Sequence, residues 1–145
     1  QTTSGDQSAV YRLNGLEELE LRILASLNEA GEEHVSALLN SVLKRVGKDS
    51  HLFRFIAALR RLYDLDFFAF ADRRGEGNLA WEPLSDEESL EKLALLGSQL
   101  MWDQKLGLWV WNAEVPMPTI LLTQRGATLS NDVLERFGWD MAEPM

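Results

Sequence analysis

The stretch that decides the fold is residues 35–70, VSALLNSVLKRVGKDSHLFRFIAALRRLYDLDFFAF. Its apolar period of about 3.6 residues is interrupted once by glycine and then gives way to aromatics. Val35, Leu38, Leu39, Val42, Leu43 and Val46 recur at helical spacing, which predicts a helix from Glu32 or Glu33 to about Val46. Lys44 and Arg45 fall in its last turn, where the helix dipole favours cations. Gly47 is the stop signal. Asp49 and Ser50 offer two N-caps for the next helix, whose apolar stripe is Leu52, Phe55, Ile56, Leu59, Leu62 and Tyr63. From Leu65 the period changes. Phe67, Phe68 and Phe70 suit a strand, residues 72–78 (DRRGEGN) are a turn signal, and residues 79–82 return as the partner strand.

Upstream, Leu16, Leu19, Ile23, Leu24 and Leu27 predict an amphipathic helix over residues 16–29, ended by Gly31. Downstream, Ser85 with Glu88 forms a capping box for a helix to about Trp102, with Leu90, Leu93, Leu96, Leu100 and Met101 inward. A strand over residues 106–112 is expected to pair with a second over 119–122, and Thr123 caps a last helix to about Phe137. The expected fold is α+β: three helices and a β-hairpin over residues 16–82, extended by a helix–β-hairpin–helix unit over 83–145 within the same domain. Residues 1–15 are expected to be a flexible N-terminal segment.

One domain is what 145 residues with 46% hydrophobic and 26% charged side chains accommodate. With no cysteine, disulfide frameworks, thiolate metal sites and thiol nucleophiles drop out. No stretch reads as a secretory signal or a membrane span, so a cytoplasmic location and no membrane partner are expected.

The order helix, helix, short turn, helix, strand, turn, strand, carried by residues 35–70 and their flanks, resembles the winged helix-turn-helix superfamily. Residues 121–129, LLTQRGATL, are similar to the strand-to-helix junction that often closes such domains. Asp66 stands where a glycine commonly leads into the wing. The resemblance implies a recognition helix beginning near Ser50, a wing between the hairpin strands, and DNA as the ligand.

Charge is unevenly spread. The total is −9, yet residues 1–41 carry −5, residues 42–74 carry +4 and residues 75–145 carry −8. The basic block is the one that would form recognition helix and wing. His51, Arg54, Ala58 and Arg61 are expected to share a stripe opposite the apolar face, with Lys48, Ser50 and Arg60 beside them and Arg73 and Arg74 at the hairpin turn. Arginine on such a helix bonds guanine in bidentate fashion, and a wing reaches phosphate. The same arginines also fit a solvated face, or one paired with Asp64, Asp66 and Asp72.

Catalytic chemistry finds little support. His34 and His51 lack metal-ligand spacing, the serines lack nucleophile-elbow glycines, and Gly75-Glu76-Gly77 lacks the phosphate-loop pattern. Asp86, Glu87, Glu88 and Glu91 sit where a helix dipole favours acid. No catalytic residue, cofactor or metal is expected. Trp102, Trp109 and Trp111 either pack inside or form an interface, in the latter case a homodimer or a protein partner. Two functions follow: a DNA-binding transcriptional regulator, or an acidic adaptor or inhibitor that binds protein.

Overall fold

The computed structural model describes residues 12–73 and 81–144, with the side chains of residues 72, 73 and 81 outside that set. The chain is a mixed α+β domain. Helix α1 (Glu18–Ala30) opens with a reciprocal capping box between Glu17 and Glu20 and ends at Gly31. It is buried on several faces through Leu19, Leu21, Ile23, Leu24 and Leu27, because it lies at the centre of the fold. Strand β1 (Glu32–His34) follows directly, then α2 (Val35–Val42) and α3 (Asp49–Asp64).

The second helix is therefore shorter than its periodicity predicts. Glu32, Glu33 and His34 pair with Leu121, Ile120 and Thr119, so their backbone bonds go to a strand instead of a first helical turn. At the other end Leu43 turns extended and Val46 is left exposed. Lys44 and Arg45 thus lie in a linker and not in a helix.

Strand β2 (Phe68–Arg73) pairs with β3 (Trp81–Pro83) on one side. On its other side it pairs with β6 (Thr119–Leu122), which also holds β1, giving the antiparallel order β1-β6-β2-β3. Phe68 and Phe70 are buried on one face of β2, ring against ring at 5.2 Å, with Tyr63 of α3 on both.

Between β3 and β6 the chain forms α4 (Asp86–Gln99) and a separate hairpin of β4 (Leu100–Asp103) and β5 (Leu108–Trp111). This corrects two expectations. The helix does not reach Trp102, and residues 106–112 do not pair with 119–122. Asp103 accepts bonds from the amides of Lys105 and Leu106 at 2.9 and 3.0 Å, nucleating a tight turn that folds 108–111 back onto 100–103. The freed strand 119–122 then completes the larger sheet.

Helix α5 (Gln124–Phe137) starts at a compact junction. The Thr123 hydroxyl accepts from the Gly126 amide at 3.0 Å and donates to the Asp66 carbonyl at 2.7 Å. A Cβ on Gly126 would stand 1.8 Å from the Phe67 carbonyl oxygen, so only glycine lets the helix approach the sheet this closely. Asp66 has φ of +64°, a left-handed conformation that aspartate tolerates better than most residues. α5 and a terminal 3₁₀ turn (Trp139–Ala142) pack on α1, which also meets α2, α3 and β6. Among the described residues no helix is long and apolar enough to cross a membrane.

Candidate nucleic-acid interface

α3 begins one residue earlier than its side-chain caps predict. Lys48 is the N-cap, and Asp49 and Ser50 are the first helical residues, where the carboxylate meets the positive end of the dipole. Leu52, Phe55, Ala58, Leu59 and Leu62 face the core. α4 runs antiparallel along one flank: a Cβ on Gly97 would touch Ile56 at 3.7 Å, and the Tyr63 hydroxyl bonds Asp86. What remains exposed is a continuous stripe of Ser50, Phe53, Arg54, Ala57, Arg60, Arg61 and Asp64 at i, i+3, i+4, i+7 spacing.

That stripe is rotated from the expected one. Ala58 is buried, and His51 is half-buried with Nδ1 lacking a hydrogen-bond partner among the described residues. Phe53 takes a place in the stripe and is 61% exposed. Arg54 and Arg61, which would have to be free for the helix to meet a groove, are both exposed.

The arginines differ in their partners. Arg60 reaches Asp64 at 3.1 Å one turn on. Arg61 donates to the Gly15 carbonyl at 2.7 Å and stands 3.5 Å from Glu20 Oε2. Arg54 has no hydrogen bond or ion pair among the described residues. Between α3 and α1 runs an open groove of about 600 Å³, with Arg54, Ala57 and Arg61 on one wall and Glu17, Glu18 and Glu20 on the other.

The α2–α3 linker leads into the N-terminus of α3. Lys44, Arg45 and Lys48 are exposed, and none has an ion-pair partner among the described residues. The linker is pinned where Gly47, at φ +69°, lies on the indole of Trp102, since any Cβ there would stand 2.6 Å from the ring. Lys44, Arg45 and Phe53 are exposed residues that sequence reasoning did not assign to the candidate interface. The charge block already contained the first two, but their helical placement explained them away. Phe53 was legible as the aromatic outside the 52, 55, 56, 59 stripe.

The expected wing residues lie at or beyond the edge of the described residues. Arg73 closes β2 by its backbone, while its side chain and all of Arg74 lie outside the described residues.

Trp102, Trp109 and Trp111 face inward. Trp109 and Trp111 are buried, Trp111 donating to the Val115 carbonyl at 2.7 Å, and half-buried Trp102 meets Trp109 edge to face at 5.5 Å. The Asn40 side chain seals the outer edge of β5 by bonding both the amide and the carbonyl of Trp109, at 2.8 and 2.9 Å. Of the two uses expected for this aromatic strand, packing inside is the one the fold adopts, between the hairpin, α2 and the linker. Among the described residues no group of three His, Asp or Glu side chains is arranged to hold a metal.

No family model matches the chain, and neither a curated protein nor a solved structure matches it significantly.

Proposed function

We propose that this chain is a DNA-binding protein of winged-helix type, a transcriptional regulator that presents α3 to the major groove. The observation that carries this is the exposed outer stripe of α3, in which Arg54 has no partner among the described residues, together with the exposed cations Lys44, Arg45 and Lys48, none of which has an ion-pair partner among the described residues. Cations without carboxylate partners release counterions from a duplex at no loss of an internal bond. Lys48, Ser50, His51 and Arg54 stand in the first turns of α3, the part of a recognition helix that meets base edges.

The sheet order supports the same reading. In the domains that this chain resembles, a strand-to-helix junction often closes the fold. Here β1 pairs with β6, β6 pairs with β2, and β6 runs through Thr123 into α5. The wing of this proposal is the connection from β2 to β3, to which the sequence assigns Arg73 and Arg74, and these would meet phosphate.

A second reading, an adaptor or inhibitor that binds a basic protein, draws on the exposed carboxylates Asp86, Glu87, Glu88 and Glu91 of α4. A duplex titration across salt separates the two. The wild-type chain is expected to bind duplex DNA at low salt, and the triple variant Arg54→Ala, Arg61→Ala, Arg73→Ala is expected to show a salt slope shallower by roughly one per phosphate contact removed. Absence of binding by the wild type at low salt overturns the proposal in favour of the protein partner.

A further inference from the structure

The exposed stripe of α3 divides into two halves of different chemistry. In its C-terminal half both arginines are already engaged, Arg60 by Asp64 and Arg61 by Gly15 and Glu20. In its N-terminal half stand Ser50, Phe53, Arg54 and Ala57, where neither the guanidinium of Arg54 nor the ring of Phe53 has a partner among the described residues. The phenyl ring at the centre of an otherwise polar stripe keeps apolar surface in water, as binding surfaces do and solvated helix faces seldom need. Ala57, one turn beyond Phe53, adds no bulk that would hold the helix away from a ligand.

We propose that Phe53 and Arg54 are a base-reading pair, and that the duplex this chain selects carries a guanine next to a thymine in the major groove. The inference rests on the DNA-binding function proposed above. Guanine O6 and N7 are two adjacent acceptors matched to the fork of a guanidinium. The thymine 5-methyl is the one apolar group that a base pair shows in that groove, and it is what an exposed phenyl contacts with gain. Neighbouring helical residues point about 100° apart, so Phe53 and Arg54 reach neighbouring base pairs and not the same one. The linker cations Lys44, Arg45 and Lys48 then meet phosphate and set the register without reading sequence.

The test is selection of duplexes by the full chain from a randomised pool, followed by single-atom changes in the recovered site. Deoxyuridine in place of the thymine is expected to weaken wild-type binding roughly four-fold, the worth of one methyl group withdrawn from water. 7-Deazaguanine in place of the guanine is expected to weaken it by roughly ten-fold. Phe53→Ser should bind thymine and deoxyuridine duplexes equally, and Arg54→Ala should no longer distinguish guanine from its deaza analogue. Both side chains are exposed, so the variants keep the fold. Duplex binding without sequence enrichment, or an undiminished thymine preference in Phe53→Ser, overturns this inference and leaves the DNA-binding function standing. Failure of the wild type to bind any duplex overturns both.

Discussion

Helices α3 and α4 lie antiparallel, with 16 and 14 residues, and use that length differently. α3 buries Leu52, Phe55, Ala58, Leu59 and Leu62 and still keeps an uninterrupted outer stripe with three arginines. α4 buries only Ser89, Leu93 and Leu96 and exposes most of its surface. The antiparallel arrangement also sorts charge. The acidic first turn of α4, Asp86 to Glu88, lies beside the last turn of α3 at Tyr63, while the uncharged end around Gly97 lies beside Ile56. The N-terminal half of α3, where Arg54 has no partner among the described residues, is thereby kept away from the acidic first turn of α4. A helix can offer a wide ligand-facing stripe only if its opposite side is deeply anchored, and α3 meets that condition where α4 does not.

The largest effect that would break this comparison is on stability. Phe55, fully buried on α3, and Leu93, the corresponding anchor of α4, are to be truncated separately. Phe55→Ala is expected to destabilise by about 3–5 kcal/mol and Leu93→Ala by about 2 kcal/mol, near the low end for leucine because Leu93 keeps some contact with solvent on a helix that is mostly exposed. Chemical denaturation measures both. Equal losses would mean that α4 is anchored as deeply as α3 and that the contrast is only one of charge.

A smaller effect sharpens the electrostatic half. Glu20 uses its two carboxylate oxygens for different purposes: Oε1 accepts the Glu17 amide at 2.8 Å in the capping box, and Oε2 faces Arg61. Glu20→Gln keeps an acceptor for the cap and removes the charge. Arg61 is half exposed, so its pairing is worth no more than about 1 kcal/mol. The variant is expected to bind duplex up to roughly five-fold more tightly at low salt, with a salt slope steeper by about one. Unchanged affinity and slope would show that the acidic start of α1 places no restraint on the stripe.

What was legible in the sequence follows from the range of the interactions involved. α3 and the start of β2 stand where residues 49–70 put them, because their apolar period is local and unbroken. β1 was not legible: Glu32 to His34 continue a helical pattern, and only pairing with Leu121 to Thr119, far along the chain, makes them a strand. β4 was hidden in the same way, since Leu96 and Leu100 keep helical spacing while Leu100 pairs with Trp111. In each case tertiary pairing outweighed a local preference. The stripe on α3 is rotated from its sequence-based expectation, because His51 and Ala58 look polar or neutral in sequence and only the folded chain covers them. The linker cations were misfiled with a helix end that tertiary structure removed.

The smallest effect concerns the seam between the two helices. The Tyr63 hydroxyl donates to Asp86 across it, and burial, then the Asp86 carboxylate, raise the pKa of the phenol above its ordinary 10.0. The unfolded chain therefore ionises first as pH rises, while the folded chain still holds its proton. The contribution of this group is complete below about pH 10 and is lost as pH rises through the elevated pKa. Tyr63→Phe removes the bond and is expected to lower stability by about 0.5–1.5 kcal/mol at neutral pH. Its stability should then fall less steeply than that of the wild type above about pH 10. Denaturation midpoints compared across that range read the difference, and because the chain has two tyrosines the absorbance titration of the variant reports Tyr11 alone. Parallel decline of the two proteins would mean that the α3–α4 seam draws its stability from Ile56 meeting Gly97 and not from the phenol, and that α4 is held at its uncharged end.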